Sequence, residues 1–251
     1  MKQTGFTLVK LLVVMLAVGA SAHADGPIET DRPDFTESAN VVPKGRLQIE
    51  SGFTSLRERG GRTTGVPEAL FRGGVDGRWE WRLGLPNYID SRSGAERLRG
   101  FGDTYLGAKI KLTPAEGEFN ASLIPAVMLP GGRSGLRSEA VAPEIKLCVA
   151  KPLSEKHSLS GMLYGAWPKE EGRRNSVLQS TLSLGTALGE RMAAFTEYAG
   201  TFAKRGGSEH VGHFGLTYLA TPEQQWDLHF GFGQRPTGSS RFIAGGFSIR
   251  L

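Results

Sequence analysis

The feature that most constrains this chain is a strict alternation of apolar and polar side chains, which recurs from residue 46 to the C-terminus. In the segment 79–83, Trp-Glu-Trp-Arg-Leu, every second residue is large and apolar and the residues between are charged. The segment 226–232 repeats the pattern. Because successive side chains of a β-strand point to opposite faces, each segment predicts a strand with one apolar and one polar face.

Twelve such strands are predicted, at residues 46–55, 69–75, 78–86, 101–112, 118–129, 141–151, 157–167, 176–188, 191–203, 210–219, 224–233 and 241–251. The links between them are alternately short, as at Asp76-Gly77, and longer and polar, as at 56–68, 87–100 and 234–240. A soluble sandwich also has a polar strand face, but it has no reason to alternate its loop lengths. The pattern therefore predicts an all-β chain, a transmembrane antiparallel up-and-down β-barrel of about twelve strands.

In this barrel the apolar face contacts lipid and the polar face lines the lumen. The lipid-facing candidates are Trp79, Trp81, Leu83, Trp226, Leu228 and Phe230. The lumen and selectivity candidates are Glu50, Arg72, Arg78, Glu80, Arg82, Lys109, Lys111, Glu144, Lys146, Glu197, His213, Asp227 and His229. Such charges either select solutes or merely neutralise one another in a polar lumen. A barrel of this size falls between filled and open ones, so the sequence leaves both open.

Residues 1–24 are predicted to be a cleaved signal peptide. Lys2 and Lys10 precede an apolar run over 11–22, and Ala22-His23-Ala24 is a suitable cleavage site. The stretch GFTLVKLLVV resembles the start of a type IV pilin, but a pilin has Glu where Lys10 stands. The single cysteine, Cys148, excludes an internal disulfide. We therefore expect an exported protein in the outer membrane of a Gram-negative cell.

Residues 25–45 form a distinct segment before the barrel, which is assigned to 46–251. The segment is polar and irregular, and Arg32-Pro33 and Val42-Pro43 stiffen it. It is predicted to be an ordered periplasmic strap or plug, with Asp31 and Arg32 pairing with lumen charges. The alternative is a flexible lead-in to the first strand.

Residues 30–38, TDRPDFTES, and 42–50, VPKGRLQIE, carry a family resemblance. With the FGDT stretch at 101–104, they resemble the meta-pathway phenol-degradation family of outer-membrane proteins. The motif includes Asp31, Arg32 and Pro33. The resemblance implies an outer-membrane barrel that moves small hydrophobic or aromatic compounds, with no enzymatic role. The alternating C-terminal strand also implies handling by the outer-membrane barrel assembly machinery, although it ends in Leu251 instead of an aromatic residue.

His213, His229 and Glu197 are candidates for a catalytic site, because they are predicted to lie together on adjacent strands. No serine accompanies them, so an acyl hydrolase is the least favoured function, and no catalytic, cofactor or metal site is predicted. The net charge of +5 does not suggest nucleic acid. The expected partners are outer-membrane lipid and lipopolysaccharide, the assembly machinery and a small solute. The favoured function is a channel, and the alternative is a plugged structural or surface-interaction barrel.

Overall fold

The computed structural model of the protein describes residues 26–114 and 117–251, so the predicted signal peptide lies outside the described residues. The strands of the first half are β1 (Leu47–Glu58), β2 (Gly61–Val66), β3 (Leu70–Gly74), β4 (Trp79–Gly84), β5 (Tyr88–Ser93), β6 (Glu96–Phe101), β7 (Thr104–Lys111) and β8 (Asn120–Leu129). Those of the second half are β9 (Ala142–Pro152), β10 (His157–Ala166), β11 (Lys169–Glu170), β12 (Arg173–Arg174), β13 (Val177–Ala187), β14 (Met192–Ala203), β15 (Gly207–Thr221), β16 (Gln224–Arg235) and β17 (Gly238–Arg250). Within the described ranges, no helix is long and apolar enough to span a membrane.

Twelve strands form a closed antiparallel barrel: β1, β3, β4, β7, β8, β9, β10 and β13 to β17. Closure comes from β17, which pairs with β16 on one side and with β1 on the other. The pairing with β1 runs from Gln48 opposite Arg250 to Glu58 opposite Ser240. The predicted fold class is therefore confirmed.

The predicted long links are mostly hairpins and not irregular loops, which differs from the expectation. β1 continues to Glu58 and turns into β2, and β5 and β6 form a second hairpin within 87–100. β16 and β17 run to within two residues of each other. These extensions lie beyond the part of each strand that has an apolar outer face, and both of their faces meet water. An alternating apolar pattern is then not required, so the sequence did not reveal them.

Three neighbouring barrel strands are interrupted at about the same height. The breaks lie between β2 and β3 at Pro67, between β4 and β5 at Pro86, and between β6 and β7 at Gly102-Asp103. Proline has no backbone N–H to donate to a ladder, so two of the breaks are encoded directly. Isolated backbone hydrogen bonds still join neighbouring strands at these breaks, such as the bond of 2.9 Å from Leu85 N to Ala69 O.

The two faces of the wall differ as predicted for a membrane barrel. Large apolar side chains are exposed outside, among them Trp79 at 41% and Trp226 at 44%. The inner face holds charged side chains without solvent exposure, including Arg72, Arg82 and Glu80. A soluble protein has the reverse arrangement, so the outer face is suited to lipid.

Candidate functional site

Residues 26–45, here called the plug segment, lie inside the barrel. Near the short-turn end, Ile28 N donates to Pro222 O at 2.7 Å and Gly45 N to Gly74 O at 2.9 Å. Short turns are typical of the periplasmic end of such barrels, so we expect the segment to enter from the periplasm. Between these anchors it rises into the lumen, and residues 31–37 form its tip.

Asp31 is the centre of a buried charge network. Its carboxylate lies 2.7 Å from Arg82 and 2.8 Å from Lys109, and 3.4 Å from Arg72. Its backbone N–H donates to Glu50. Burial alone would raise the pKa of Asp31, but the charges of Arg72, then Lys109 and Arg82, outweigh it and hold that pKa well below its usual range. Three strands are thus joined to one plug carboxylate.

Arg32 joins the plug segment to another part of the wall. Its Nε and Nη2 each donate to Asp227 of β16 at 3.1 Å, and Nη1 lies 3.3 Å from Glu68. Two parallel bonds between guanidinium and carboxylate are stronger and more specific than one. Gly52 and Gly246 leave the space for this guanidinium, since a Cβ at either position would lie under 3 Å from it.

The tip also contacts the predicted histidine cluster. Glu197 accepts from Phe35 N at 2.8 Å and from Thr36 N at 2.7 Å. Both ring nitrogens of His213 are engaged, Nδ1 by Glu197 at 2.8 Å and Nε2 by His229 at 2.7 Å. Both nitrogens of His213 are therefore occupied within the cluster, and Glu197 of the same cluster receives the tip of the plug segment. In the described chain, no group of His, Cys, Asp or Glu is arranged to hold a metal.

Further contacts hold Glu37 at the end of the tip and residues 38–45, here called the returning arm, which lead back towards β1. Glu37 bonds to Arg82 at 2.8 Å and to Lys146, and Val42 N donates to Glu80 at 2.6 Å. Lys111 reaches Asn40 Oδ1 at 2.8 Å. Burial opposes ionisation of Glu37, yet Arg82 and Lys146 lower its pKa below the ordinary value.

The structure places the predicted residues as follows. On the inner face and in contact with the plug segment are Glu50, Arg72, Glu80, Arg82, Lys109, Lys111, Lys146, Glu197, Asp227 and His229. His213 packs against Phe35, with ring centroids 4.7 Å apart, and Glu144 is half-buried on the same inner face. Arg78 differs, because it lies exposed in the β3–β4 turn, where its N–H donates to Asp76. Trp79, Trp81, Trp226, Leu228 and Phe230 are exposed on the outer face, with Leu83 half-buried among them.

Two cavities flank the plug segment. On the extracellular side, a cavity of about 590 Å³ has Arg32, Glu37, Arg82 and Lys146 at its inner end. Its walls include the apolar side chains of Leu70, Ile89, Met128 and Leu136. On the periplasmic side, a cavity of about 480 Å³ is lined by residues such as Asn40, Lys111 and Arg250. Residues of the plug segment line both cavities, Arg32 and Glu37 the first and Glu29 and Asn40 the second.

Sequence reasoning missed two residues of this site. Glu37 lies within the motif at 30–38, but the motif alone predicts no role for it, although it links Arg82 to Lys146. Glu68 falls within a predicted external link, but it lies at the β2–β3 break and pairs with Arg32. The signal that could have located Glu68 is the adjacent Pro67, which interrupts a strand and turns the chain inwards.

A sequence profile described as "Putative MetA-pathway of phenol degradation" matches residues 30–251. The chain belongs to this family. The match begins within the plug segment and includes the whole barrel. Comparison with the curated proteins gave no significant match.

Solved structures share the fold of this family member at low sequence identity. An outer membrane channel from Pseudomonas putida F1 superposes with a TM-score of 0.70 at 13% identity, covering 89% of this chain and 100% of the channel. The NanC porin gives 0.57 at 9% identity, covering 82% and 100%. The translocator domain of the autotransporter NalP from Neisseria meningitidis gives 0.51 at 10% identity, covering 98% and 95%. At these identities the likeness shows that the chain shares the fold of these proteins.

Proposed function

We propose that this protein is an outer-membrane channel for small aromatic or hydrophobic solutes, closed at rest by the plug segment. The observation that carries the proposal is the extracellular cavity, which combines apolar walls with a charged floor. Its volume of about 590 Å³ suits a small organic molecule, since ligand pockets measure roughly 300–1,000 Å³. The family description and the Pseudomonas channel support the same function.

The cavity fits an amphipathic aromatic compound such as a phenol or an aromatic acid. The ring would lie against Met128 and Ile89, and its oxygen would accept from Arg82 or Lys146. Those two cations now hold Glu37 of the plug segment. A solute that bonds to them competes with Glu37, so its arrival weakens plug docking.

Uptake by proteoliposomes tests this function. Benzenesulfonate serves as the probe because its fixed charge prevents passage through lipid, and a neutral sugar of similar size serves as the comparison. The intact protein should admit benzenesulfonate faster than the sugar. Met128→Asp should slow that uptake, whereas Leu153→Asp, a control in the exposed β9–β10 turn outside the cavity, should not. Equal uptake of both solutes would contradict the selectivity.

A plugged structural barrel is the second candidate, and the density of plug contacts favours it. Deletion of residues 27–43 distinguishes the two functions. If the intact protein passes no solute and the deleted one also remains impermeable, the channel proposal fails. If only the deletion opens the barrel to sugars and ions, the plug segment is the closing element.

A further inference from the structure

Five arginines stand directly opposite one another on neighbouring strands at the extracellular end of the barrel. Arg241 pairs with Arg57, Arg57 with Arg62, Arg62 with Arg92, and Arg92 with Arg97. All five are exposed. Since strands lie about 4.8 Å apart, this arginine row extends for roughly 19 Å around β17, β1, β2, β5 and β6.

The arginine row faces the membrane side of the wall. Four positions along the same strands, towards the membrane and on the same face, lies a row of apolar residues, here called the apolar row. Its members are Phe53, Val66, Tyr88 and Phe101. Phe53 is 44% exposed and Phe101 57%. The two rows are about 13 Å apart along the strands. The arginine row therefore lies above the lipid-facing surface and points away from the lumen, so a solute inside the barrel does not touch it.

The charge of the row is balanced by the protein only in part, through Asp90 beside Arg97. Like charges directly opposite each other destabilise a sheet. Asp90 pairs with Arg97 and lies 3.3 Å from Arg99, and Arg62 donates to Ser55 at 3.2 Å. Within the described residues, no acidic side chain forms an ion pair with Arg57, Arg92 or Arg241. Glu58 and Glu96 are each one residue further along their strands, which places them on the opposite face.

We propose that the arginine row binds the phosphate groups of lipid A, the membrane anchor of lipopolysaccharide. Guanidinium groups bind phosphate through paired hydrogen bonds, and several in a row match a polyanionic surface. The apolar row below is placed to contact the acyl chains of the same lipid. This inference rests on the outer-membrane location and is independent of the proposed transport function.

Native mass spectrometry of the full protein in detergent tests the proposal, with diphosphorylated lipid A as the probe. The double variant Arg57→Gln/Arg62→Gln removes two central members of the row. It should lower lipid A affinity by roughly tenfold or more, because two charge-assisted phosphate contacts are lost. The matched control Arg137→Gln/Arg173→Gln removes the same charge from exposed loops elsewhere and should bind as the intact protein does. Equal losses in the two double variants would overturn the proposal.

Two more measurements separate lipid binding from simpler explanations. Dephosphorylated lipid A should bind weakly to every variant, whereas displacement of lipid A by an equal concentration of inorganic phosphate would identify a soluble-anion site and overturn the lipid assignment. In detergent without lipid A, the row variant should melt no lower than the intact protein, because like-charge repulsion is relieved. In lipid A-containing bilayers the intact protein should melt higher. The same order of melting temperatures in both environments would also overturn the proposal.

Discussion

Arg32 and Asp227, 195 residues apart in the chain, are joined by two hydrogen bonds of 3.1 Å across the lumen. The Asp227 side chain is fully buried and that of Arg32 nearly so. One residue belongs to the plug segment and the other to the wall. The pair therefore fixes the plug segment to the wall of the barrel.

Breaking this pair should loosen the plug. Arg32→Gln leaves a buried carboxylate without its partner, which costs about 3–5 kcal/mol in a site of this kind. Single-channel recording in planar bilayers should show higher conductance or more frequent opening than in the intact protein. The control Glu209→Gln breaks a more exposed pair with Arg235, worth about 0–1 kcal/mol, and should leave conductance unchanged. Equal conductance in all three proteins would refute the role of the pair.

A methyl group at Gly74 should displace the returning arm of the plug. A Cβ there would lie 2.1 Å from Pro43 O and 2.3 Å from Val42 O, both backbone atoms that cannot move alone. Gly74→Ala should cost about 1–3 kcal/mol of packing energy and expose residues 38–45 to limited proteolysis from the periplasmic side. Gly189→Ala adds a methyl group in open space and is the matched control. Unchanged proteolysis in Gly74→Ala would count against tight docking.

Asp34 should make plug docking depend on pH. Burial, then the charge of Glu197, raises the pKa of Asp34 to about 8, while a hydrogen bond from Ser183 opposes the shift. The docked state thus binds one more proton than the unfolded chain between about pH 4 and pH 8, so stability should fall as pH rises through that window and level off above it. Comparing thermal melts of the intact protein and Asp34→Asn isolates this contribution. An identical pH dependence in both would exclude it.

The apolar outer face should tolerate no charge at membrane depth. Phe230→Arg places a guanidinium among exposed apolar side chains of β16 and should cost about 2–4 kcal/mol near the bilayer midplane. Leu153→Arg changes an equally exposed residue in the β9–β10 turn and should cost much less, because water is available there. Each variant is titrated with urea in lipid vesicles, and its folded and unfolded fractions are read as separate bands on unboiled gels. The two titrations give the cost of each substitution. Similar costs at the two sites would contradict the assigned membrane zone.

Cysteine labelling should establish the orientation. Cys148 is fully buried, so it gives little background. Single cysteines at Ser134 and Arg173, both exposed in the longer links, should react with an impermeant maleimide on intact cells. One at Glu155, exposed in a short turn, should react only after the outer membrane is opened. The reverse pattern would invert the topology.

Much of the wall could be predicted from sequence because the odd- and even-numbered residues of a strand point to opposite faces. This alternation is here called residue parity. Trp226 and Asp227 are adjacent, and that alone assigns one to lipid and the other to the lumen. Parity fails at a strand's end, which explains Arg78: its N–H bonds to Asp76, so it belongs to the turn and not to the strand.

The partners within the lumen could not be predicted in the same way. Parity gives the face of Glu80 or Lys109, but it gives neither the height at which each meets Asp31 nor the path of the plug segment. Those depend on strand stagger and on backbone contacts such as Val42 N to Glu80, which carry no sequence pattern. The histidine cluster was easier, because β15 and β16 are joined by a short turn that nearly fixes their register.

The position of the plug segment along the chain also orders the assembly of the protein. The segment is made first, yet Glu197 and Asp227, which receive its tip, come from β14 and β16 near the end of the chain. Docking at these residues therefore cannot be completed until β14 and β16 have been made. A fully docked plug segment therefore indicates that the strands which receive it are in place. In a truncated barrel, the segment would be exposed to periplasmic proteases.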